Sequence, residues 1–428
     1  MSVPDPPEPS DEEPSFDDFV GNMFGGAFGS MFGPALEAMK SQGTGSSAAR
    51  QLAMTIATGG GSEPNVEPMV RMEYEALARV AELHVADRTG LSPDRRGSLT
   101  VEPVTRAVWA ARTVDALQPL LGRVSGSLQT DTPEQGDIAP DDPRPEPADP
   151  STAWLSGLME VIAPLMANIT TGTMVGRLAA RNLGTYDLPI PRDPTTPGAD
   201  RLLLIVPNID AFAADWSLPV DDLRLWVCLH ELTHHAVLGI PHVRDTLTGL
   251  LTSHAGAFNN DPSALEQHLA DLDPMAGPDA MARIQQMLDP EMVLGAVRSP
   301  TQEALLPRLE ALVAVVIGYV DHTMDEIGGR LISAYPMVTE ALRRRRVETT
   351  DADRFVERIL GLNLTQAQVD RGSAFVAGVI ERVGPDGLNR LWADERHLPT
   401  PNEVDAPGLW LARIDMGGQN PDQPPDQD

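Results

Sequence analysis

The chain has 428 residues, 62 of them acidic against 32 basic, a formal net charge of −30 and one cysteine. That length leaves room for roughly two or three domains' worth of core. The acidity argues against a nucleic-acid partner and an anionic membrane surface, and the single cysteine excludes an intrachain disulfide framework.

Residues 1–46 read as a disordered, low-complexity arm. Its Pro/Asp/Glu-rich start lacks the basic and apolar regions of a secretory signal, so a cytoplasmic protein is expected. Residues 16–39, rich in Gly, Phe and Met, read as a flexible arm in preference to a docking segment. A helical region follows over 47–127. It has a helix over 47–60 broken by GGGSEPN, a second from Pro68 to Ala86 and a third from Val104 to Leu121. Spacing gives the second helix an apolar face of Met72, Leu77, Val80 and Leu83, with His84 near it as a structural residue. Residues 128–152 are an acidic, Pro-rich loop, too polar to bury.

Residues 153–415 read as a second helical domain. One or two helices are expected over 153–189, and RLLLIVPNI (201–209) is the best strand. A strand edge beside a catalytic helix can hold an extended peptide by strand addition. Further helices are expected over 243–295, two over 301–346 and one over 353–383, then an irregular closing segment over 392–415 and a disordered tail over 416–428. The run LRRRRVE reads as a solvated helix end, where cations are favoured. No apolar run reaches ~18 residues without polar interruption, so no stable membrane insertion is expected.

The chemistry concentrates in DDLRLWVCLHELTHHAVLGIPH, residues 221–242. Asp221 or Asp222 can cap a helix, and Leu225, Trp226, Leu229, Leu232, Ala236 and Val237 recur at helical spacing. Gly239 and Pro241 end it, and Cys228 reads as a buried apolar residue. His230 and His234 then stand one above the other and can bind one Zn²⁺. Glu231 lies about 100° round the helix, where it can reach a water held by the metal and act as general base. The bland alternative is a core helix with incidental histidines. A third ligand is needed. His235 points away, and His242 does not fall at metzincin spacing. The leading candidate is Asp321 in LEALVAVVIGYVDHTMDEIGG (309–329), because a buried carboxylate asks for a cation. The alternative for Asp321 is a solvent-facing position on its helix.

Several blocks carry a resemblance: RQLAMTIATGG, VGRLAARNLGTYDLPIP, LLLIVPNIDAFAADWSLPVDDLRLWVCLHELTHHAVLGIPHVRDTL, RLEALVAVVIGYVDHTMD, ALRRRR and LGLNLTQAQ. In this order they resemble the actinobacterial zincin-like metallopeptidase type 2 family, whose members are associated with hydrolase activity or deazaflavin coenzyme biosynthesis. The resemblance implies a mainly α, zincin-like fold with a small β element before the active-site helix, and zinc-dependent hydrolysis of a peptide or protein substrate. Relatives tend to carry a glutamate where Ile317 stands, and Asp321, one turn on, is its candidate substitute. The rival reading is an inactive zincin scaffold that binds protein partners.

Overall fold

The computed structural model describes residues 45–93, 99–127, 168–196, 198–257, 299–348, 359–362 and 364–416. The 16–39 segment, the 128–152 loop, most of the 257–298 stretch and nearly all of the C-terminal tail lie outside the described residues. The fold is mainly helical. In chain order it runs α1 (Gly45–Thr58), α2 (Pro68–Thr89), β1 (Thr100–Val104), α3 (Arg106–Ser127), α4 (168–181), β2 (Arg201–Ile205), α5 (Val206–Asp215), α6 (Val220–Leu238) and α7 (Pro241–Gly256). It continues through α8 (Pro300–Leu331), α9 (Tyr335–Val347), α10 (Gln366–Val383), two 3₁₀ turns, α11 (Pro401–Asp405) and α12 (Pro407–Asp415).

Several expectations shift for local reasons. The strand stops at Ile205, because Pro207 sits in the first turn of α5, where its fixed φ and missing N–H suit a helix start. Its partner β1 was not expected. TVEPV contains a proline, which demotes a short run as a strand, yet among the described residues β1 pairs with β2 alone and tolerates it. The two strands are parallel, Thr100 opposite Arg201 and Val104 opposite Ile205. On α2 the helix holds but its expected face does not. Met72 and Leu83 are 62% and 68% exposed, whereas Tyr74, Ala81 and Val85 are buried. The closing segment is helical in parts: a capping box between Thr400 and Glu403 starts α11.

One hydrophobic core runs from Ala49 on α1 to Ile414 on α12, so the helices before and after the acidic loop share it. The helix that carries HELTH, α6, lies inside, packed on α2, α5, α8 and α9. Trp226, Leu229, Leu232, Ala236 and Val237 are buried there, as their spacing predicts, and Cys228 is buried with them. Leu225 is only half-buried, and Leu223, one turn before Trp226, is buried as well. Its cap differs: Pro219 precedes the first turn, and Asp222 accepts the N–H of Ala334 at the start of α9. Helix α8 starts with a capping box, Ser299 with Gln302, and crosses α10 so closely that Gly318 lies against the backbone of Gly372. No described helix is long and apolar enough to cross a membrane.

Candidate functional site

His230 and His234 share a face of α6, their ring centroids 4.4 Å apart. Trp226 stacks on His230 at 4.8 Å, and Tyr186 stacks on His234 at 6.0 Å. The Nδ1 of His234 lies 3.2 Å from the carbonyl of His230. A carbonyl only accepts, so Nδ1 carries the proton and Nε2 keeps its lone pair. Burial, with Arg346 as the next cause, pulls His230 down to about 4. Burial and the neighbouring His230 hold His234 well below the usual imidazole range. Both rings are therefore neutral, the form that binds metal.

Glu231 is 0% exposed and its carboxylate faces the protein. It accepts the backbone N–H of Thr185 at 2.8 Å and of Tyr186 at 2.9 Å, both on Oε2, and Tyr186 also approaches Oε1 at 3.1 Å. Oε1 lies 3.7 Å from Nδ1 of His230. Burial and the charge of Asp187 push the Glu231 carboxyl well up, while the two N–H donors pull it back. Gly184 makes this seat possible, since a methyl there would lie 2.5 Å from Cδ of Glu231.

The segment that seats Glu231 also covers β2. The N–H of Ile205 donates to the Leu183 carbonyl at 2.7 Å, and the N–H of Leu203 donates to the Thr185 hydroxyl at 2.9 Å. Residues 183 to 185 thus run opposite to β2 along the edge that β1 leaves free. The indole of Trp109 on α3 fixes the segment by donating to the Gly184 carbonyl at 3.1 Å. His235 points away from the pair, its Nδ1 3.0 Å from the Tyr186 hydroxyl.

Asp321 is buried on α8, not solvent-facing, and a cation does neutralise it. That cation is Arg346, whose Nη1 and Nη2 each donate to a carboxylate oxygen at 3.0 Å. The charge of Asp321 is felt at both imidazoles. Ile317 is buried in the core. The arginine run corrects its expectation as a solvated end. Arg343 and Arg344 do face outward, but Arg345 and Arg346 are only 17% and 16% exposed and turn inward.

The donor chemistry decides whether zinc suits these residues. Two neutral imidazoles with one carboxylate facing them are a set that zinc takes. As arranged, however, no three such groups among the described residues stand together closely enough to hold a metal. The donor types fit zinc, and Asp321, the carboxylate expected as third ligand, is held by Arg346. Sequence reasoning brought out His230, Glu231, His234 and Asp321. It missed Thr185, Tyr186, Asp187, Arg345 and Arg346, although the blocks VGRLAARNLGTYDLPIP and ALRRRR contain them.

A family model described as "Zincin-like metallopeptidase" matches residues 46–411. No curated protein matches the chain. A crystal structure from Chloroflexus aurantiacus, titled as a "putative hydrolase with a novel fold", is similar at 22% identity and a TM-score of 0.52, over 86% of this chain and 97% of that one. That likeness speaks for the fold.

Proposed function

The chain belongs to the zincin-like metallopeptidase family, and we propose that it is a zinc-dependent hydrolase of the peptidase type. In this reading His230 and His234 bind Zn²⁺, Asp321 is the third ligand and Glu231 is the general base. The observation that carries it is the imidazole pair: a buried His234 and a half-buried His230, both neutral, on one helical face, with the proton of His234 committed to Nδ1. Zinc bound there would supply Lewis-acid polarisation of a peptide carbonyl and of a water. The chain's own residues do the rest. The His230 carbonyl fixes the tautomer of His234, Trp226 and Tyr186 hold the ring planes, and the carboxylate of Glu231 lies beside Nδ1 of His230. For Glu231 to take a proton from water it must leave the Thr185 and Tyr186 amides.

A second reading has its own observation. Both oxygens of Glu231 are engaged by backbone N–H groups, as in a structural peg, which favours an inactive scaffold that binds protein partners. Metal content separates the two. The hydrolase reading expects about one zinc per chain in the wild type, lost in His234→Ala. It also expects Glu231→Gln to keep zinc and lose hydrolysis of a peptide library. No stoichiometric zinc in either protein after zinc is supplied, or full activity in Glu231→Gln, would refute it.

A further inference from the structure

The two inward arginines at the end of α9 are neighbours in sequence, and each grips a different wall of the site. The guanidinium of Arg346 forks onto both oxygens of Asp321. Arg345 donates to Oδ2 of Asp187 at 2.7 Å and to the Arg181 carbonyl at 2.7 Å. The same Oδ2 accepts the N–H of Leu183 at 2.9 Å, so Arg345 holds the base of the segment that crosses the site. Arg181 returns the grip by donating to the carbonyls of Arg345 at 2.6 Å and Glu348 at 2.7 Å.

That segment stands where a ligand backbone would go. A free strand edge offers a row of N–H and C=O groups to any extended peptide. On β2 the N–H groups of Leu203 and Ile205 are the ones facing that edge, and Thr185 and Leu183 take them. The next N–H groups, of Thr185 and Tyr186, close over Glu231. A peptide could not add to β2 or approach Glu231 while the segment stays.

We propose that Arg345 and Arg346 form a clasp that keeps this site latent, with Leu183–Tyr186 as a resident strap in a groove for an extended peptide running opposite to β2. This rests on the zinc-hydrolase reading. Release of Arg346 frees Asp321 to join the two histidines. Release of Arg345 lets the strap leave β2 and Glu231, exposing the Leu203 and Ile205 N–H groups to the carbonyls of a peptide.

The test uses the full-length protein. Zinc affinity is measured by competition with a chromogenic chelator, and amide hydrogen exchange is followed at Thr185 and Tyr186 in metal-free protein. Arg346→Gln is expected to bind zinc at least about tenfold tighter than wild type, a gain removed by adding His234→Ala. Arg345→Gln is expected to speed exchange at Thr185 and Tyr186 by at least about tenfold while the amides of α8 keep their rates. The lysine variants of both positions keep the charge without the fork and guard against misfolding; each should shift in the same direction by less. Unchanged zinc affinity in folded Arg346→Gln and Arg346→Lys, with His234-dependent zinc in the wild type, would overturn the clasp and leave the zinc reading standing. Unchanged exchange in the Arg345 variants would overturn the strap. Absence of His234-dependent zinc in every variant would instead overturn the zinc reading, and the exchange rates would still decide the strap.

Discussion

The seat of Glu231 predicts the outcome of one small substitution, Gly184→Ala. The added methyl would lie 2.5 Å from both Cδ and Oε1 of Glu231 and 3.0 Å from Cγ. The backbone at Gly184 does not have a positive φ, so the penalty is steric and not conformational. Nor can the segment back away. Its carbonyl holds the Trp109 indole, and its neighbours Leu183 and Thr185 are tied to β2. Overpacking a filled interior costs about 1–3 kcal/mol. Moving Glu231 off two buried N–H donors adds about 1–3 kcal/mol for each donor left unpaired. A loss of about 3–9 kcal/mol is expected, read from urea unfolding in the presence of a chelator. The control is a double-mutant cycle with Glu231→Ala, which removes the carboxylate that the methyl meets. The double variant should be less destabilised than the sum of the singles by about 1–3 kcal/mol. A Gly184→Ala protein within about 0.5 kcal/mol of wild type, or strict additivity in the cycle, would refute the seat.

Three other outcomes follow from the same geometry. Glu231→Gln keeps an amide oxygen at the Oε2 position, where both N–H donors converge, and should lose less than about 1 kcal/mol. Glu231→Ala orphans both donors and leaves a void, so about 2–5 kcal/mol should go; equal unfolding midpoints for the two would contradict this. In metal-free protein, His230 sits at about 4 in the fold against 6.5 for a free imidazole. The folded state binds fewer protons, so its stability is full above the unfolded value and falls as pH drops from 6.5 through about 4, by about 3 kcal/mol. His230→Gln should flatten that slope in urea unfolding across the same window, and a parallel curve would count against it. At the α8–α10 crossing, a methyl on Gly372 would run into the Ala314 carbonyl. Gly372→Ala should cost about 3 kcal/mol or more, with far-UV circular dichroism and unfolding midpoint as the readouts.

The helix that carries HELTH was legible because its signals are local. Apolar spacing places Leu229, Leu232 and Ala236 inward, and the four-residue step from His230 to His234 follows from helical pitch. The α2 face was misread because spacing alone cannot say which of two apolar stripes meets a neighbour. Helix α2 packs on α6, β1 and α8; Tyr74, Ala81 and Val85 are buried there, Tyr74 against Arg224 of α6, and Met72 and Leu83 stay outside. Strand β1 was hidden by its proline and by its dependence on a partner about a hundred residues away. The strap and the clasp were out of reach for the same reason. Arg346 and Asp321 are 25 residues apart, and Thr185 and Glu231 are 46 apart. A run of four arginines has no local feature to tell which two turn inward. That is set by α9 packing back on α6, where Asp222 receives the first turn of α9.

The arginine pair also bears on why the Asp321 carboxylate can stand in a buried place. An isolated carboxylate with the burial of Asp321 is costly and needs a cation or hydrogen-bond donors. Arg346 supplies both, in the forked geometry that guanidinium favours. A buried ion pair of this kind is weak support for stability, because desolvation offsets much of the attraction. On the clasp proposal its consequence is exchange: Arg346 brings one positive charge to Asp321 where a divalent metal would bring two. If Asp321 is a metal ligand, whatever loosens Arg346 raises metal affinity and bound metal in turn loosens Arg346, since coupling between two binding events is reciprocal. Arg345 is the adjacent residue on the same helix and holds Asp187, so on the clasp proposal the two grips act together. Metal uptake and release of the Leu183–Tyr186 strap should accordingly be linked events. On the clasp proposal zinc should bind Arg345→Gln more tightly than wild type, and Arg345→Lys, which keeps the charge that Arg345 exerts on His230, separates strap release from the loss of that charge.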